Sequence, residues 1–110
     1  MAVMMISGYV DLDKLAAEIE RTKLKLGPEV VRLRYSVGPD STDDPSIRFR
    51  IVLTDAASRE ERLGEVSAGI VRIFFDELRP YENWGMHMYF SFRSQSEQAQ
   101  REGLEPAWAA

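Results

Sequence analysis

The sequence predicts a single α+β domain built as a two-layer sandwich, with its elements in the order α-β-β-α-β. Three runs alternate apolar and polar residues with the two-residue period of a strand. Two longer stretches repeat their apolar positions at the three-to-four-residue spacing of an amphipathic helix. All three strands have an apolar side and both helices an apolar stripe, so two helices on one sheet face bury every apolar surface at once. At 110 residues the chain has the size of one domain, 1–110, with a C-terminal tail over 94–110.

The first helix is expected over 12–26. Leu12, Leu15, Ala16, Ile19 and Leu26 recur at helical spacing, Asp11 or Asp13 can cap the start, and Gly27-Pro28 stops it. An antiparallel hairpin over 30–54 follows. In its first strand Val31, Leu33, Tyr35 and Val37 share one side, opposite Arg32, Arg34 and Ser36. In its second, Ile47, Phe49, Ile51 and Leu53 lie opposite Arg48, Arg50, Val52 and Thr54. The connection "GPDSTDDP" is rich in turn formers. "SREE" at 58–61 matches the Ser-x-x-Glu capping box and opens the second helix, whose stripe of Leu63, Val66, Ile70, Ile73, Phe74 and Leu78 runs up to Pro80. The last strand, "MHMYFSFR", sets Met86, Met88, Phe90 and Phe92 against His87, Tyr89, Ser91 and Arg93. If residues 2–7 add a strand, the order becomes the βαββαβ of a ferredoxin-like fold.

Helices on one side leave the other side of the sheet carrying Arg32, Arg34, Arg48, Arg50, Val52, His87, Tyr89, Ser91 and Arg93. A hairpin loop of this length pairs residues whose numbers sum to 84, which sets Leu33 against Ile51, Tyr35 against Phe49, and Arg34 directly against Arg50. Like charges opposite each other destabilise a sheet. Three explanations compete. The arginines stand in water, bridged by Glu97, Glu102 or Glu105 of the tail, with their stems covering apolar surface. Alternatively the face binds a protein, since arginine and tyrosine are enriched at interfaces. In the third, single-stranded nucleic acid lies across it, phosphates on arginines and a base stacked on Tyr89. The net charge of −4 disfavours long-range attraction of phosphates, only one aromatic lies on the open side, and no Gly-x-x-Gly loop of the KH type occurs.

Catalytic motifs are sparse. Asp11-x-Asp13 superficially looks like the paired aspartates of nucleotidyltransferases, which hold Mg²⁺ for phosphoryl or nucleotidyl transfer. However, Ser7-Gly8 lies too close to Asp11 for that pattern, and no predicted strand of the sheet carries an interior carboxylate. Helix capping is the simpler role. The "DSTDD" loop at 40–44 lacks the ligand spacing of an EF-hand, and His87 is the only histidine. There are no cysteines, which removes disulfides, zinc ribbons and thiol nucleophiles. Met86 and Met88 read as core residues that would form one patch with Met4 and Met5 if 2–7 is a strand. Trp108, near the end of the chain, reads as an anchor that docks the tail on its own domain or on a partner.

The element order is similar to that of several small α+β binding modules, including the cytoplasmic domain of cation-diffusion transporters. The likeness covers topology only. The histidine and acidic metal ligands it implies have no counterparts here, so no function is carried across.

The expectation is therefore a small cytoplasmic, non-enzymatic interaction protein. It binds a protein partner, or a second copy of itself, through Arg32, Arg34, Arg48, Arg50, Tyr89 and Arg93 on the sheet, through the tail with Trp108, or through both. Single-stranded nucleic-acid binding on the same face is the alternative, and metal-dependent transfer chemistry at Asp11 and Asp13 the weaker one. No cofactor, metal or membrane is expected.

Overall fold

The computed structural model describes residues 11–102. In chain order its elements are α1 (Leu12–Lys23), β1 (Val30–Pro39), β2 (Pro45–Leu53), α2 (Glu60–Leu78), α3 (Pro80–Trp84), β3 (His87–Ser94) and α4 (Gln95–Arg101). The three strands form one mixed sheet in the order β1-β2-β3. The predicted α+β two-layer arrangement is found, with a short α3 and a C-terminal α4 added.

Asp11 caps α1, its Oδ1 accepting from the Lys14 backbone N–H at 2.9 Å. The helix ends three residues earlier than its apolar spacing predicts. Lys25 and Leu26 donate to the carbonyls of Thr22 and Lys23, so the last turn tightens to i→i+3 bonding before Gly27-Pro28. The capping box read at 58–61 does not form. Arg59 is the N-cap of α2 with no side-chain bond, and the Ser58 hydroxyl donates instead to the Thr54 carbonyl at 3.0 Å. Ser58 is held in the preceding turn, where its backbone N–H bonds the Thr54 and Asp55 carbonyls. Beyond Leu78, Arg79 adopts φ 44°, and Pro80 starts α3 where its missing N–H costs nothing.

The hairpin register is the predicted one. Leu33 pairs with Ile51, Arg34 with Arg50 and Tyr35 with Phe49. The pairing slips once, between Val30 and Arg32, so Val31 is the extra residue of a bulge and is exposed rather than turned into the core. Val37, also expected inside, is exposed near the loop end of its strand. β2 is the central strand. It runs parallel to β3, and α2 supplies the crossover that parallel neighbours need. β2 and β3 pair directly, with no strand between them, whereas a split βαβ unit places one there. The strand at 2–7 on which the ferredoxin-like order depends lies outside the described residues.

The core lies between the sheet and the α1–α2 layer. Leu15 and Ile19 of α1, Ile70, Phe74 and Leu78 of α2, and Leu33, Ile47, Phe49, Ile51 and Leu53 of the sheet are buried together. Phe49 is its centre, with ring centroids 4.5 Å from Phe74 and 4.9 Å from Phe90. Met86 is fully buried and Met88 packs at the edge of this cluster. Among the described residues no helix is long and apolar enough to cross a membrane.

Candidate interaction face on the open side of the sheet

Strand pairing sets the open side out in rows. Arg32, Val52 and Arg93 form one; Arg34, Arg50 and Ser91 the next; then Ser36, Arg48 and Tyr89; and finally Gly38, Ser46 and His87. Each row brings together residues that are far apart in the chain, because alternate side chains of a strand share a face.

The first row is covered by α4. Ser94 caps this helix, its hydroxyl accepting from the Glu97 N–H at 3.0 Å. Asp55, just past β2, accepts from the Ser96 N–H at 2.9 Å and also from the Ser96 hydroxyl. The Ser96 hydroxyl and then its backbone N–H hold the Asp55 carboxyl below its usual range. Gln98 is the buried face of the helix. Its Oε1 accepts from Arg93 Nη1 at 3.1 Å and its amide donates to Glu102 Oε2 at 3.0 Å. Glu102 in turn lies 3.8 Å from Arg32 Nη2. An Arg93–Gln98–Glu102–Arg32 chain thus straps α4 over Val52, which is only 3% exposed. Of the tail carboxylates expected on the arginines, Glu102 arrives and Glu97 pairs with Arg101 instead. Glu105 and Trp108 lie outside the described residues.

The far end of the face is held by the β1–β2 loop. Asp40 Oδ2 accepts from the Tyr89 hydroxyl at 2.7 Å, and Asp40 Oδ1 from the Thr42 hydroxyl and N–H. Those bonds, the Tyr89 one first, hold the Asp40 carboxyl well below the usual carboxylate range. The same bond, reinforced by partial loss of water, raises the Tyr89 phenol above its ordinary value. Asp44 lies 4.0 Å from His87 Nε2. The loop carboxylates therefore serve tyrosine, threonine and histidine, and no arginine.

Between these two ends stand Arg34, Arg48 and Arg50. None of the three has a carboxylate within 4.0 Å among the described residues, and the bond from Arg50 Nη1 to the Ser36 hydroxyl, at 3.3 Å, is the only hydrogen bond their side chains make there. Six candidate residues on the sheet therefore separate into groups. Arg32 and Arg93 belong to the α4 strap, Tyr89 is tethered by its hydroxyl, and three neighbouring guanidinium groups are left facing solvent. Asp11 is engaged as a helix cap, and Asp13 lies in the exposed first turn. Among the described residues no three histidine or acidic side chains converge as a metal site would require.

The residue that sequence reasoning missed is Gln98, in a segment read as polar tail. Its signal was present in "SQSE" at 94–97, a Ser-x-x-Glu pattern that begins a helix. Fold and face together define a class: a small α+β domain with α1 and α2 on one side of a three-stranded sheet and, on the other, a cationic surface covered at one end by α4. No protein-family model, curated protein or solved structure matches this chain.

Proposed function

We propose that the protein is an interaction module whose open sheet face binds an acidic protein surface, with Arg34, Arg48 and Arg50 as the contacts that recognise carboxylates. The observation that carries this is the contiguity of three uncompensated guanidinium groups on neighbouring strands, two of them directly opposed. Guanidinium forks pair with carboxylates through two parallel hydrogen bonds, which fixes geometry as well as charge. A partner's carboxylates relieve the Arg34–Arg50 repulsion on binding, so the unfavourable free state contributes to affinity.

Two features favour protein over nucleic acid. Asp40 and Asp44 border the arginines and repel a polyphosphate backbone that must run past them. In addition, the Tyr89 ring is tethered at its hydroxyl by Asp40, which hinders its reorientation against a base. A second copy docked face to face is disfavoured, because it opposes arginine to arginine at a desolvation cost of several kcal/mol per unpaired ion.

The test uses a glutamate-rich peptide and a single-stranded oligonucleotide as competing probes, with Arg34→Glu/Arg50→Glu as the control. The expected result is peptide binding that weakens with salt, is lost in the folded double variant, and is not displaced by the oligonucleotide. Preferential oligonucleotide binding with a steep logarithmic salt slope identifies the nucleic-acid reading instead. Binding of neither probe refutes both.

A further inference from the structure

The side of the molecule beyond β3 carries a second surface. Among the described residues no strand pairs with the outer edge of β3. That edge spans eight residues, His87–Ser94, and contains no proline or lysine; its pairing with β2 is continuous and free of bulges. Proteins usually protect such an edge from other chains by just these devices. Above it, Ala68, Val71, Phe75 and Phe92 line an open groove of about 500 Å³, with Arg72 and Asp76 at its rim. Phe75 is 57% exposed.

One turn N-terminal to Ala68, α2 carries Gly64. A glycine inside a helix costs about 0.5–1 kcal/mol relative to alanine. At Gly64 and Gly69 an added Cβ would meet nothing within 4 Å, so packing within the chain does not require either glycine. Gly64, Ala68, Val71 and Phe75 fall on one side of the helix by their spacing. The stripe is small at one end and bulky at the other.

We propose that this surface is a two-fold interface with a second copy of the chain, β3 pairing antiparallel with β3 and α2 packing antiparallel on α2. A two-fold axis normal to the sheet satisfies both pairings at once and buries the same patch on each copy. Antiparallel packing centred between Ala68 and Val71 places each Phe75 over the gap left by the other copy's Gly64. It also brings Glu65 of one copy to Arg72 of the other, twice. Within one chain Glu65 and Arg72 are two turns apart, about 10 Å along the axis, and neither has an ion-pair partner among the described residues. Charge and shape therefore complement each other across the same axis. The axis also leaves both arginine faces on the same side of a continuous six-stranded sheet. The dimer interface does not depend on what that face binds.

Light scattering over a concentration series on the full chain tests this. The expected mass is twice the 12.6 kDa of one chain, and Phe75→Glu should weaken the dimer by about 30-fold or more, the loss typical of a central interface anchor. Glu65→Arg and Arg72→Glu should each weaken it, and the two combined should restore it. Gly64→Leu separates interface from fold: it should raise the thermal stability of the monomer yet dissociate the dimer. A monomer at every concentration overturns the proposal, as does a dimer that Phe75→Glu leaves intact. Failure of the charge exchange to rescue overturns the antiparallel arrangement.

Discussion

Arg34→Glu should stabilise the fold while removing affinity for acidic ligands. Arg34 and Arg50 are direct partners in the β1–β2 ladder. Taking the charged heads as about 7 Å apart in water, their repulsion is about 0.6 kcal/mol. Reversing one sign changes that to a similar attraction, a swing of about 1.2 kcal/mol. Glutamate's poorer strand propensity takes back a few tenths. The net gain is about 0.5–1 kcal/mol, or about 2–4 °C in Tm for a domain of this size. Thermal unfolding at low ionic strength reads it directly. Repeating the melt in about 1 M salt, where the screening length falls to about 3 Å, should erase the difference. A variant that is no more stable than wild type at low salt, or a gain that persists at high salt, refutes the claim that these arginines stand uncompensated.

Three further outcomes follow from the contacts described. Phe49→Ala removes the ring at the centre of the core and should cost about 3–5 kcal/mol in urea unfolding, a large part of the stability of a small domain. The Asp55 carboxyl has a lower pKa folded than unfolded, so its support of α4 is complete above the unfolded value of 3.8 and is lost as pH falls through the folded one. Protection of the Ser96 amide, measured as exchange relative to its intrinsic rate at each pH, should fall in that acid window, and in Asp55→Asn it should be low already at neutral pH. Gln98→Ala breaks the link between Arg93 and Glu102 and should cost about 1–2 kcal/mol, measured by denaturant unfolding, with faster exchange across 95–101.

Local patterns made most of the sheet legible in advance. Alternation placed Leu33, Phe49, Ile51 and Leu53 on the core side, and loop length fixed the pairing of Arg34 with Arg50. What escaped was whatever depended on a contact between distant segments. The bulge at Val31 shifts one residue without any turn former to mark it. Ser58-x-x-Glu61 and Ser94-x-x-Glu97 are the same motif, yet only the second caps a helix, because Thr54 engages Ser58 first. Asp40 bonds Tyr89 only because β3 brings that side chain back to the β1–β2 loop. The parallel placement of β3 beside β2 is a topological choice that the alternation of "MHMYFSFR" does not encode. Of the candidate face, the residue types and their shared side were readable. Their division into strapped, tethered and open groups was not, since Gln98 and Glu102 reach the sheet only through α4.

The most direct test of the arginine face is an NMR titration of the labelled protein with a glutamate-rich peptide, following backbone amides and arginine side-chain resonances. Shifts should concentrate on Arg34, Arg48, Arg50, Ser36 and Ser91, sparing α1 and the core-facing helices. They should vanish in Arg34→Glu/Arg50→Glu. Shifts centred elsewhere, or none at peptide concentrations that saturate a weak interface, would contradict the assignment of this face as the binding surface.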